Sequence, residues 1–369
     1  MEPTRRDFIK TTAAAGAMFG TVGASRSNDS QSGRTIPMPT PRAKALMEMF
    51  GLKYPIFEAP HGAQTCPELA IAVSNAGALG ALASLDSPEM ARAAVSKVRA
   101  ATKGPFVVNF ILDFEPTALQ AALDAGAPIV QFSWGIPTKK MISAVRAAKA
   151  KLGMQVTSAE STRAALDLGA DYLMCQGTEA GGHVQATRGL YETLPIVIEE
   201  ARQKPVIAAG GIGNGQGIYR ALSAGASGAA LGTRFVATAE SIAHPDYKRE
   251  ILAAYAQDTA LTICFQDGWS ATHRALRNRT FVMWESAGCG SPGKRPGEGD
   301  VIATKADGSK ILRYQAWSPL RDFGGAVTEC PMWAGTSVEF IKDLPAAGEL
   351  VDRLWRECQA ARAGTDSAR

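Results

Sequence analysis

"PVIAAGGIGNGQGIYRALSAGASGAALGTRF", residues 205 to 235, decides the fold. It opens on a short apolar run and turns through Gly210, Gly211, Gly213 and Gly215. A segment of helical period follows, then a second apolar run ending at Gly232 and Thr233. This pattern is a β-α-β unit with a glycine-rich exit from each strand. Backbone N–H groups exposed at such an exit, beside a helix N-terminus, suit a phosphate. Neither exit continues into the Lys-Ser/Thr of a P-loop.

The same rhythm runs upstream. Candidate strands are "YPIFEAP", "GALGALA", "FVVNFI", "PIVQFSW", "MQVTSA", "DYLMCQG", "PVIAAGG" and "GAALGT". Between them lie helix-like segments such as "PEMARAAVSKVRAAT", "EPTALQAALDAG" and "TKKMISAVRAAKAKLG". The apolar runs are continuous, as in strands buried on both faces. Repeated units of this length make either a closed barrel or an open doubly wound sheet. The open sheet calls for GxGxxG after the first strand, yet that strand ends in "APHGAQTCP". The glycine turns come late instead, after the seventh and eighth strands, where barrels hold phosphate. The expected fold is therefore α/β, a (β/α)8 TIM barrel over residues 42–243, with its site at the C-terminal strand ends. Residues 244–345, turn-rich between 285 and 325, are expected to form a smaller, partly helical lobe or insertion over that face. Residues 346–369 read as a C-terminal helix and tail, able to complete the outer ring.

Bulk composition narrows the function. The chain has 369 residues, 46% of them apolar, and a formal charge of +4 with scattered basic residues. That excludes disorder as the main theme and marks no nucleic-acid surface. The six cysteines form no CxxC pair and no close cluster with histidine, so neither a metal site nor a disulfide scaffold is expected. Residues 1–24 contain "TRRDFIKTTAAAGAMFGTVGASR" up to its small-residue end and resemble a twin-arginine export signal, implying a periplasmic or exported protein. The apolar run is too short and glycine-rich for a stable membrane anchor. Residues 25–41 read as a linker.

Four places at strand ends are expected to converge. In "SNAGALG" Asn75 offers a planar amide beside Gly77 and Gly80. In "CQGTEAGGH" Gln176 leaves a buried strand, Gly181 and Gly182 let the backbone approach a ligand, and His183 can exchange a proton. "AAGGIGNGQG" and "ALGTRF" supply the phosphate grip. A flat polar ring with a phosphate tail, the shape of flavin mononucleotide (FMN), fits these four places. Among the other residues, Cys175 reads as core, Glu179 as a brace for the glycine loop and His244 as a helix cap. His273 reads as surface or lobe packing, and Arg274 and Arg277 could bring positive charge to the mouth.

"APHGAQTCPELAIAVSNAGALG", "CQGTEAGGH", "AAGGI", "ALGTRF", "LRNRTFVMWESAG" and "MWAGTSV" together resemble the nitronate monooxygenases, once called 2-nitropropane dioxygenases. The resemblance runs from roughly Leu52 to Leu354. It implies an FMN-containing barrel whose flavin contacts fall on Asn75, Gln176, Gly181, Gly182, Gly211, Ala230, Leu231, Gly232 and Thr233. The catalytic histidine falls on His183. The implied reaction takes a small alkyl nitronate or nitroalkane and O2 to a carbonyl compound and nitrite. An FMN-dependent enoyl or other NAD(P)H-linked reductase of the same barrel type is the alternative. No nucleic-acid partner is implied, and the oligomeric state is not specified. The chain departs from pattern on the substrate side. Pro60, His61, Gly62 and Ala63 replace the common Pro-Met-Ala-Gly, Ser133 and Trp134 replace a His-containing turn, and Trp333 replaces a frequent tyrosine. His61, Ser133 and Trp333 are thus the expected substrate-pocket residues.

Overall fold

The computed structural model describes residues 38–61, 66–83 and 85–367. The expected export signal and most of the linker lie outside these residues. The linker's last residue already belongs to the fold: helix α1 (Pro41–Phe50) starts there, and the Thr40 hydroxyl accepts from Ala43 N at 3.1 Å.

The barrel follows in chain order. Its first half is β1 (Ile56–Glu58), α2 (Pro67–Asn75), β2 (Gly80–Ala83), α3 (Pro88–Ala101), β3 (Phe106–Ile111), α4 (Leu119–Asp124), β4 (Ile129–Ser133) and α5 (Lys139–Ala147). Its second half begins with β5 (Lys151–Val156), α6 (Ala159–Asp167), β6 (Tyr172–Gln176) and a two-residue strand β7 (Gly182–His183). It finishes with α7 (Leu190–Ala201), β8 (Val206–Ala209), α8 (Gly215–Ser223), β9 (Gly228–Leu231) and the short α9 (Thr233–Val236). All the barrel strands pair in parallel, in the order β1-β9-β8-β6-β5-β4-β3-β2. The ring closes between β1 and β2 through one bridge, Phe57 with Leu79, supported by Glu58 N to Leu79 O at 2.8 Å.

One expected helix is shorter than its sequence suggests. The Ala- and Lys-rich segment 138–153 favours helix throughout, yet α5 stops at Ala147, and Lys149 sits at φ 55°. Strand β5 starts at Lys151 because Ile129 and Val130 of β4 pair with Lys151 and Leu152. Sheet pairing overrides local propensity there.

Inside the ring, period-two alternation sorts the side chains. Phe57, Leu79, Val107, Ile129, Tyr172, Met174 and Ile207 point inward as one apolar core. Leu46 and Phe50 of α1 join this core and plug one end. Gly153 makes room in it, since a Cβ there would fall 2.2 Å from the Tyr172 ring. The alternate residues, including Leu173, Cys175, Val206 and Ala208, pack outward under the helices. Cys175 is core, as its strand position suggests.

After α9 the chain leaves the ring for the lobe. This contains α10 (Pro245–Ala253), β10 (Thr259–Thr262), β11 (His273–Leu276), α11 (Arg279–Ser286), β12 (Val301–Thr304), β13 (Lys310–Leu312) and β14 (Gly324–Gly325). β12 is the centre of a small antiparallel sheet with β13 and β14. β11 is the centre of another, between β10 and β7. Helix α12 (Ala347–Ser367) then returns to pack against α8 and α2, the place of an eighth helix in the ring.

Candidate active site

A cavity of about 1080 Å³ opens at the C-terminal ends of the barrel strands. It slightly exceeds the usual size range of small-molecule sites, about 300–1,000 Å³, which leaves room for a cofactor and a second molecule. Its floor follows from the same alternation that builds the core. One step further along each strand the inward residues turn polar: Asn109 on β3, Gln131 and Ser133 on β4, Gln155 on β5 and Gln176 on β6. They hold one another. Gln131 Nε2 donates to Asn109 Oδ1 at 3.0 Å, Asn109 Nδ2 to Ser133 Oγ at 3.2 Å, and the Tyr172 hydroxyl to Gln131 Oε1 at 2.9 Å. Gln155 Nε2 reaches Gln176 Oε1 at 3.3 Å and Gln185 Oε1 at 3.1 Å. Amides locked this way are a rigid donor and acceptor set.

Glycine pairs form the wall on the β6, β8 and β9 side. Gly182, Gly210 and Gly211 have φ of 72°, 129° and 68°, conformations that favour glycine. A Cβ on Gly182 would meet Trp333 Cβ at 3.9 Å, an ordinary contact, so the left-handed backbone and not crowding is what favours glycine there. Gly181 differs. A Cβ there would lie 2.4 Å from Gly335 N, so this glycine lets the loop of residues 334–336 close over it. Thr233 Oγ1 accepts from Gly335 N at 3.0 Å and ties the β9 exit to the same loop.

His183 is placed from two sides. The Gln176 side chain bridges the hairpin, donating to His183 O at 3.2 Å and accepting from Gln185 N at 2.8 Å. From the lobe, β11 pairs antiparallel with β7, setting His273 opposite His183. The His183 ring stacks on Trp269 with centroids 3.8 Å apart and planes 23° apart. Trp333 lies 5.1 Å away and Trp134 6.5 Å away. The Nε2 of His183 is buried with no hydrogen-bond partner among the described residues. Burial, aided by His273, pushes its pKa down to about 3, so the ring is neutral near pH 7. A neutral imidazole can take a proton or donate one hydrogen bond, but it brings no net charge to an anion.

On β1, Glu58 is fully buried, and Ala81 N donates to its Oε2 at 2.9 Å. His61 Nδ1 lies 3.5 Å from Glu58 Oε1, and His61 Nε2 is 2.9 Å from Gly232 O. Burial pushes the Glu58 carboxyl up, against the pull of His61.

Most expected residues line this cavity: His61, Ser133, Gln176, Gly181, Gly182, His183, Gly211, Ala230, Gly232, Thr233 and Trp333. Two do not. Asn75 ends α2 and is exposed, at the opposite end of the barrel. "SNAGALG" leads into the start of β2, whereas the site gathers strand ends. Leu231 sits between Ala230 and Gly232, so alternation turns its side chain outward into the layer under the helices. Arg274 is not at the mouth either: it donates to Thr178 O and the Thr259 hydroxyl. Arg277 pairs with Glu285. Glu179 braces, its Oε2 accepting from Leu190 N at the start of α7 at 2.8 Å. His244 caps α10, with Nδ1 accepting from Asp246 N at 3.1 Å. His273 is lobe core, not surface. Asn109, Gln131, Gln155 and Trp269 escape a reading of the sequence. The first three share one trait, each being a lone amide within an apolar strand, but that trait alone does not assign a role.

The family model for nitronate monooxygenase matches residues 43–118 and 116–357. The chain belongs to the nitronate monooxygenase family. It is 32% identical over 361 residues to a nitronate monooxygenase of Pseudomonas aeruginosa, covering 84% of this chain and 97% of that one. Among solved structures, FabK from Thermotoga maritima superposes with a TM-score of 0.73 at 26% identity, covering 88% of this chain and 99% of that one. Nitroalkane oxidase from Streptomyces ansochromogenes superposes with a TM-score of 0.71 at 30% identity, covering 87% and 99%. This nitronate monooxygenase family member is an FMN-linked oxidoreductase with a nearly closed barrel and an added lobe. The cavity suits that cofactor: glycine exits at β8 and β9 for a phosphate, an amide floor for a polar ring, and an orphaned imidazole nitrogen beside it.

Proposed function

We propose that the protein oxidises nitronates, taking an alkyl nitronate and O2 to a carbonyl compound and nitrite. The observation that carries this reading is the neutral His183, its buried Nε2 without a partner among the described residues, at the wall of a cavity large enough for FMN and a small substrate. Backbone at Gly211, Gly232 and Thr233 would hold the FMN phosphate. The amides of Asn109 and Gln176, with Gly181 and Gly182, would hold the ring. Bound there, FMN supplies the electron acceptor that no side chain can provide. His183 then has two tasks open to a neutral imidazole: donating a hydrogen bond to a nitronate oxygen, or taking the carbon-bound proton of a neutral nitroalkane.

Anaerobic titration of the yellow protein with ethyl nitronate is expected to bleach its visible absorbance, and admitting O2 to restore it with release of nitrite. No bleaching by any nitronate, with bleaching by NAD(P)H alone, would move the protein to the reductases. His183→Asn should keep the chromophore and lose about 10²-fold or more in kcat/KM, the usual contribution of a positioned acid or base. The paired Arg5 and Arg6 support export as a second proposal. Fractionating cells that express the full chain, and sizing the product, tests it; an unshortened cytoplasmic protein counts against it.

A further inference from the structure

The nitronate reading leaves the substituent on the reacting carbon open, and the wall beside His183 bears on it. Trp134 and Trp269 meet at 5.0 Å in an edge contact, Phe114 meets Trp269 at 5.4 Å, and Trp333 lies tilted against the imidazole at 5.1 Å. All four aromatic residues line the cavity. Trp134 holds this position at a cost. Its φ is 60°, a left-handed conformation unfavourable to a bulky side chain, and such outliers persist where the surroundings over-determine them. Trp269 is fixed as well, its indole N–H donating to Asp113 Oδ2 at 2.9 Å.

Charge in the cavity points the same way. Among the described residues that line it, Lys97 is paired with Glu68, Asp267 is paired with Arg295 from outside the lining, and no arginine is present, whereas the carboxylates of Asp86 and Glu115 are. A substrate carrying a second negative charge, such as a carboxylate, would find no unpaired cation among the described residues of this lining. A flat uncharged ring would find indole faces and edges, the geometry in which aromatic pairs gain most.

We propose that Trp134, Trp269 and Trp333 are specificity-determining residues that select a substrate bearing an uncharged aromatic substituent on the carbon to be oxidised. This rests on the nitronate reading for the reaction, but the preference for a flat ring can be measured without turnover. Nitrobenzene and 2-methyl-2-nitropropane are both neutral nitro compounds with no carbon-bound proton to lose, one flat and one globular. Equilibrium dialysis of the holoprotein should show nitrobenzene binding about tenfold or more tightly, a difference of ~1.4 kcal/mol. Equal binding, or the reverse order, overturns the proposal even if nitronates are oxidised.

With preformed nitronates, kcat/KM is expected to fall from phenylnitromethane to nitroethane to 3-nitropropionate. In Trp134→Asn, where asparagine tolerates the left-handed backbone, the phenyl-to-ethyl ratio should drop about tenfold. An unchanged ratio in a variant that still turns over overturns the role of Trp134. If the variant does not fold, Trp269→Leu is read in the same way, and the dialysis comparison on the unmutated protein stands regardless. Failure of every nitronate to react, with nitrobenzene still preferred, overturns the reaction and leaves the aromatic pocket standing.

Discussion

His183 and His273 are both held neutral by burial, with pKa values pushed down to about 3 and about 4 from an ordinary 6.5. His273 has no room for a second proton: Nδ1 faces Ala271 O at 2.9 Å, and Nε2 accepts from Phe265 N at 3.1 Å. Between pH 6.5 and 4 the unfolded chain takes up protons at these positions that the native state refuses. Stability is therefore full above about pH 6.5 and falls as the pH drops toward 4, by up to about 1.4 kcal/mol per pH unit for each histidine. Urea titrations across this range check the slope, and it should flatten in His183→Asn. Glu58 makes a different prediction. Glu58→Gln keeps an oxygen for Ala81 N and should cost about 1 kcal/mol or less, while Glu58→Ala strands that N–H in the core and should cost about 1–3 kcal/mol, read by denaturant unfolding. Histidine and paired glycines announce themselves in a sequence because few core positions want them. Asn109, Gln131 and Gln155 do not, because one amide in an apolar strand shows its purpose only when neighbouring strands put three of them side by side.

Among the elements, the close approach of the glycine loop to residues 334–336 is the constraint that bears most directly on the cavity wall. Gly181→Ala places a methyl 2.4 Å from Gly335 N and 2.6 Å from Ala334 C, both backbone atoms. A loss of about 2 kcal/mol or more is expected by thermal unfolding, with faster loss of bound chromophore on dilution. Strands and most helices were legible, since their apolar periods are strong. The misplacement of Asn75 arose from direction: a glycine-rich stretch beside a helix looks alike at either end of a strand, and only the β-α connectivity tells which end meets the cavity. The end of α5 was hidden for another reason, because β4 pairing, not the local residues, begins β5.

For the whole molecule, repetition made the barrel readable, as eight similar units leave few ways to arrange them. The lobe has no repeat, and its contribution to the site is long-range, so neither Trp269 nor the pairing of β11 with β7 could be foreseen. Helix α12 buries Leu350, Val351, Leu354 and Cys358 in the same core as α8 and the outward faces of the strands. A chain ending at residue 345 should consequently expose that core and aggregate, whereas Leu354→Ala should fold with a loss of about 2–5 kcal/mol. Solubility on expression and calorimetry distinguish the two.

The pairing of β7 with β11 also sets an order of assembly. His183 leaves the ribosome with its half of the barrel, long before the lobe strand that fixes it has been made. A nascent chain can complete the ring of strands and still lack a placed imidazole. Its chemistry begins only when the last-made third of the molecule docks.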